Sequence, residues 1–385
     1  MTLRFPDPTT ETARLALDTI MQRPVTGIPT WLLFIMEHRH IERIAGAGPG
    51  DYQKDPQNVY LAMQRRLGVC LVDQFIPTNP LTMGDEGYKA NAEARQHATS
   101  GATDVVCDGL LINSPEAVVD HMERFVFPRL HQSIAQFDED RRVQEIMDGE
   151  IACQQTIGPT MLKSGFSFIR FPNLRYGMYG YANYLMAFAL YTDIMEQDFS
   201  LQADDALLNN RAAARAYTEG KLPPLYRLDH DMADSHKTLV RLDTLDRIWF
   251  PQLARCLQPL LKVGVKLIWH CDGNLMPMVP RLLDVGLAGF QGFQYEDGMD
   301  YEKICTMKTR DGQDLIIIGG VSVTRTLPLG TADDVRRELA WLVRNGPKTG
   351  LFLGVSSSVT PGVPWENIAT LMEGLTYYRT HGRAG

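Results

Sequence analysis

The sequence predicts an α/β fold: a (β/α)8 barrel of the TIM type, with an N-terminal helix and an insertion over the barrel mouth. Three observations carry that prediction. Eight short apolar runs alternate with helical patterns along the chain. Acidic and imidazole side chains recur just after those runs, on the rim where the βα loops of such a barrel converge. The length, 385 residues, suits one large barrel, so residues 1–385 read as a single domain.

Residues 7–24 read as a helix, with Thr9 or Thr10 as cap and Ala13, Leu15, Ala16, Ile20 and Met21 on its apolar side. Gly27-Ile28-Pro29 breaks it. Thr30–Met36 is a nearly continuous apolar run, as a strand buried on both faces requires. A helix at 57–67 leads to a second buried strand, Gly68–Pro77, with Asp73 near its end. The pattern changes over residues 78–150. There Asp108-Gly109, between the apolar runs of Asp104–Ile112, predicts a hairpin, and helices follow at 115–147. No Pro/Gly/Ser linker brackets this segment, so it reads as an insertion folded over the mouth.

Strand character returns at Ile151–Ile157, Leu225–Asp231, Val265–His270, Gly289–Tyr295, Leu315–Gly320 and Leu351–Val355, completing eight. The helix at 331–345 has Thr331 as cap, Asp333 and Asp334 in its first turn, and Gly346 at its end. The last helix follows Pro364, with Ile368, Leu371, Met372 and Leu375 on one face.

Composition bounds the function. Hydrophobic residues make up 44% and charged residues 22%, enough for a large core rather than disorder. A net charge of -8 disfavours nucleic acid or an anionic membrane as main partner. Six scattered cysteines without a CxxC read as reduced thiols. No basic segment followed by an apolar run opens the chain, and no stretch is long enough to span a membrane. A soluble, cytoplasmic protein is expected.

The chemistry centres on Lys266–Asn274. His270 and Asp272, two apart at the carboxyl end of a strand, share one face of the pleat and can point at one ligand or metal ion. Polar groups also end other strands: Asp73; Asp229, His230 and Asp231; Glu296 and Asp297; Ser356, Ser357 and Ser358. Any one of these could be a cap or turn residue. Together they would crowd like charges on one rim, which calls for a cation, a proton-bearing substrate or a shifted pKa. His270 and Asp272, with Asp231 and Glu296 as further donors, suit zinc or another divalent metal. Cys271 falls on the opposite face of the pleat, as a small buried hydrophobe. Gly319-Gly320 allows either close backbone approach or a tight turn, with no nucleotide motif beside it. The aromatic run Tyr176, Tyr179, Tyr181, Tyr184 and Phe188 fits core and lid packing or substrate contact. Trp31, His230, Tyr295 and Ser357 are the expected substrate contacts.

From Pro29 onward the chain resembles the uroporphyrinogen decarboxylase superfamily, which holds the decarboxylase and the corrinoid- and thiol-linked methyltransferases. The resemblance lies in His270-Cys-Asp-Gly273, Leu228-Asp-His-Asp-Met232, Ile318-Gly-Gly-Val-Ser322 with Gly330-Thr331, and Thr360-Pro-Gly-Val-Pro-Trp-Glu-Asn-Ile368. It implies the barrel and a site at the strand carboxyl ends. The thiol-activating methyltransferases carry His-x-Cys-Gly and a later Cys that together hold zinc. Here Asp272 and Ser357 stand at the two Cys positions, a harder ligand set that is less suited to a thiolate. The decarboxylase carries Arg-Gln-Ala-Gly-Arg near its first strand, where this chain has Met36-Glu-His-Arg-His40. Asp73 matches the decarboxylase's catalytic Asp, but its active-site Tyr falls on Gly165 and its late His on Ser357.

The resemblance therefore implies methyl transfer from a small methoxy or methylamino donor to a reduced corrinoid on a partner protein. A metal or acid would assist, with Asp73, Asp231 and Glu296 as catalytic groups and a homodimer as assembly. A carboxy-lyase acting on a carboxylated pyrrole or related acid stays open as an alternative, as does a non-catalytic binding protein on the same barrel.

Overall fold

The computed structural model describes residues 4–84 and 105–383. Eight parallel strands form one sheet: β1 (Thr30–Trp31), β2 (Val69–Val72), β5 (Leu162–Lys163), β6 (Leu225–Asp229), β7 (Lys266–His270), β8 (Gly289–Gln291), β9 (Ile316–Val321) and β10 (Leu351–Val355). Their spatial order is β5-β2-β1-β10-β9-β8-β7-β6. A parallel bridge from Gly165 to Tyr226 joins the two ends, so the sheet closes on itself. The Tyr226 hydroxyl reinforces the seam by accepting the N–H groups of Phe168 and Ile169, each at 3.1 Å. The (β/α)8 expectation therefore stands. Closure leaves no sheet edge exposed on the barrel.

The strands are nearly all buried, as runs of Val, Ile and Leu covered by helices must be. Trp249 and Trp269 are fully buried and meet edge to face at 5.8 Å, so the helix Phe250–Lys262 packs against the outer side of β7. The helix Ala332–Asn345 starts as expected: Thr331 and Asp334 form a reciprocal capping box. The hairpin also forms, from β3 (Val105–Cys107) and β4 (Leu110–Ile112). Asp108 and Gly109, with φ of 49° and 79°, supply its tight turn. Asp104, the first residue of the predicted hairpin, lies outside the described residues.

Four expectations need correction. Ile151–Ile157 is not a strand but the last turns of the helix Glu139–Ile157. Ile151, Gln154 and Ile157 are its buried positions, a helical spacing that a short apolar run disguises. The third barrel strand is instead Leu162–Lys163, after the positive-φ Gly158. In the first strand only Thr30–Trp31 joins the ladder, and Ile35 returns to bridge Val359 further on. The sixth strand stops at Gln291, which leaves Tyr295–Asp297 in a 3-10 turn beyond it. The N-terminal helix is also shorter than predicted, Glu11–Ile20, with Thr10 as its cap.

Candidate metal centre at the barrel mouth

Strand alternation puts Arg227, Asp229 and Asp231 on one face of the β6 path, and Ile268, His270 and Asp272 on one face of β7 and its extension. The register sets Asp229 beside His270, and His270 beside Gln291. Asp231, His270 and Asp272 thereby converge, each offering one ligand atom within 4.8 Å of the others. His270 Nε2 lies 4.0 Å from Asp272 Oδ1.

Each of the three is held from behind. His270 Nδ1 is 3.3 Å from the Gln291 carbonyl. A carbonyl can only accept, so Nδ1 carries the proton and Nε2 offers its lone pair to the cluster. Gly292 makes room for the ring: a Cβ there would fall 2.3 Å from Nδ1, and its φ of +83° belongs to glycine. The Asp272 backbone N–H donates to Asp231 Oδ1 at 2.8 Å, and Ser357 Oγ donates to Asp272 Oδ2 at 3.3 Å. Asp272 Oδ1 is buried without any hydrogen-bond partner. An orphaned carboxylate oxygen is costly unless a cation or proton meets it. Burial raises the Asp231 carboxyl above its usual range, while the Asp272 N–H and His270 pull the other way. Two carboxylate oxygens and one imidazole nitrogen make a donor set that fits zinc or another divalent ion with a position left open.

The remaining acids do not join this cluster. Asp73 is buried and ion-paired: its Oδ2 lies 2.6 Å from Arg227 Nε, and its Oδ1 accepts from Trp31 Nε1 at 3.2 Å and Gln74 N at 2.7 Å. Arg227 Nη1 also holds Asp229 Oδ2 at 2.6 Å. Burial works against the Arg227 charge, but Asp73 and Asp229 outweigh it and hold its pKa above the ordinary value. Sequence reading passed over Arg227. The available signal was its place two residues before Asp229, on the inward face of a buried strand. Glu296 sits in the turn after β8, where Ser322 Oγ and Thr324 Oγ1 donate to its Oε1, so the strand's early end takes it away from the three.

Among the expected substrate contacts, Ser357 touches the cluster through Asp272. Trp31 is buried beside Asp73 and Arg227, its ring 5.6 Å from the guanidinium carbon. His230 accepts the Leu174 N–H at 2.9 Å and stacks on Tyr176 at 5.3 Å. Burial pulls it down to about 4, so it is neutral. Tyr295 donates its hydroxyl to the Gly320 carbonyl at 2.6 Å and packs edge-on to Trp341. Cys271 is buried, as expected; its sulfur accepts the Met232 N–H at 3.3 Å, and burial pushes the thiol up to about 12. Within the aromatic run, Tyr179 and Tyr184 are fully buried, while Tyr176 reaches the site and donates to the Asp231 carbonyl at 2.8 Å.

Residues 231–378 match the family model described as uroporphyrinogen decarboxylase (URO-D). Comparison with the curated proteins finds no match. Among solved structures, the chain is similar to a methyltransferase from Methanosarcina mazei, with a TM-score of 0.54 and 14% identity over 95% of this chain and 98% of that one. At that identity the likeness concerns the fold. The matched stretch, the C-terminal part of the barrel, contains Asp231, His270, Asp272 and Ser357, and over it the chain is similar to the uroporphyrinogen decarboxylase family.

Proposed function

We propose that this protein is a methyltransferase that moves a methyl group from a small methoxy or methylamino donor to a corrinoid on a partner protein. The observation that carries the proposal is the Asp231–His270–Asp272 cluster, with the orphaned Oδ1 of Asp272 beside His270 Nε2. These three residues would hold a divalent ion. Bound there, the ion would supply Lewis acidity toward the donor's oxygen or nitrogen, which leaves poorly without assistance. The Gln291 carbonyl fixes the His270 tautomer, and the Asp272 N–H and Ser357 hydroxyl fix the two carboxylates. Tyr176, stacked between Tyr181 and His230, forms an apolar wall tied to the Asp231 backbone and suits a donor with an apolar body.

The carboxy-lyase reading loses support from Asp73. Its carboxylate is taken up by Arg227, Trp31 and Gln74, which leaves little of it for a substrate.

The test is metal analysis of the purified protein and of His270→Ala, with a corrinoid-methylation assay over aryl methyl ethers and methylamines. Wild type should carry a divalent metal that the variant lacks, and should methylate the corrinoid from at least one donor. A metal-free wild type with no transfer from any donor would sink the proposal.

A further inference from the structure

A cavity of about 690 Å³ lies at the opposite end of the barrel from the metal centre, around Lys266, the first residue of β7. The Lys266 ammonium is half-buried there and donates to Gln22 Oε1 at 2.6 Å and Gln313 Oε1 at 3.5 Å. It has no carboxylate partner among the described residues. Burial pushes its pKa below the ordinary lysine value, which marks the charge as uncompensated. Gln22 follows the N-terminal helix in a left-handed conformation, φ 54°, a position glycine or asparagine usually takes. Both ends of its amide are engaged, with Nε2 donating to the Asp314 carbonyl at 2.5 Å and Oε1 accepting from Lys266. A strained residue is thus spent on holding one cation at a cavity wall.

Arg310 brings a second cation. A Cβ on Gly286 would lie 3.5 Å from Arg310 Nη2, so the guanidinium covers that glycine at the cavity wall. Arg310 has no ion-pair partner among the described residues. The carboxylates nearby do not cancel these charges. Asp314 is paired with Lys308 and bonded to Thr349, and Asp311 stands exposed. Of the charged residues that line the cavity, Asp314 is already paired with Lys308 outside it, which leaves Asp311 against the two cations Lys266 and Arg310.

We infer that this cavity binds a small oxyanion, a carboxylate or a phosphate, gripped by Lys266 and Arg310 and independent of the metal centre. An oxyanion there would meet the remaining ammonium protons and the planar guanidinium donors together, and would relieve the uncompensated cation.

The experiment titrates the whole protein with inorganic phosphate and, separately, with succinate at constant ionic strength, following the thermal midpoint and the heat of binding. At least one anion should give a saturable stabilisation of wild type. Lys266→Met should abolish that response, and Arg310→Gln should weaken binding by about tenfold, the worth of one charge-assisted hydrogen bond. His270→Ala should bind the anion like wild type, which separates this site from the mouth. If neither anion binds saturably, or if both cavity variants bind it as well as wild type, the inference is wrong. Should Lys266→Met not fold, Arg310→Gln decides alone.

Discussion

Arg227 Nε and Asp73 Oδ2 meet at 2.6 Å with both side chains buried, one from β6 and the other from the end of β2. The same guanidinium holds Asp229, whose register partner on β7 is His270, so the buried pair is joined through Asp229 to the cluster of Asp231, His270 and Asp272. The worth of that buried pair can be measured.

Arg227→Gln would strand the buried Asp73 carboxylate and should cost about 3–5 kcal/mol, the usual penalty for breaking a buried ion pair from one side. Adding Asp73→Asn should recover part of the loss, because the uncompensated charge is then gone. Denaturant unfolding of the two variants would show this, and equal losses in both would contradict it.

Gly292→Ala places a methyl group 2.3 Å from His270 Nδ1 and forces a φ of +83° on a residue with a side chain. The backbone cost should be about 1–2 kcal/mol. Turning the imidazole should also weaken divalent-metal binding by about tenfold or more, as loss of ligand support usually does. Metal titration alongside thermal unfolding would separate the two effects.

Replacing Asp272→Cys and Ser357→Cys together should convert a hard donor set into a soft one. The double variant should hold zinc more tightly than wild type and, loaded with cobalt(II), show the thiolate-to-metal absorption that wild type lacks. An unchanged cobalt spectrum would mean that these two positions do not face the ion.

Tyr295→Phe removes a hydroxyl that serves the Gly320 carbonyl. The expected loss is about 1 kcal/mol of stability, with KM for the proposed donor unchanged. A rise in KM without a loss of stability would return Tyr295 to the substrate.

The hairpin turn should respond to acid. Asp108 accepts from Nη1 and Nη2 of Arg129 at 2.7 and 2.6 Å and from His121 Nε2 at 2.9 Å. Hydrogen bonds from Arg129 and then His121 lower its carboxyl from 3.8 to about 2. Between those values the unfolded chain binds the proton that the folded one refuses, so the clasp contributes fully above pH 3.8 and is lost as pH falls through about 2. Amide protection factors in Val105–Ile112, corrected for the intrinsic exchange rate, should therefore fall across that window. In Asp108→Asn protection should be low and independent of pH over the same range.

The sequence alone was enough for the architecture, the hairpin, and the strand and helix that frame His270 and Asp272. Those features rest on local rules: apolar runs for buried strands, Asp-Gly for a tight turn, Thr331 with Asp334 for a helix start, and two-residue alternation for a shared face. Register and closure were decided only by the assembled barrel. It brought Asp231 to His270 through the pairing of β6 with β7. It gave Asp73 to Arg227, a partner 154 positions away. It carried Glu296 beyond the end of a short strand, to Ser322 and Thr324. Whether a carboxylate is a ligand, an ion-pair partner or a turn residue depends on which donors lie within about 3 Å of it, a distance set by strands that are remote along the chain.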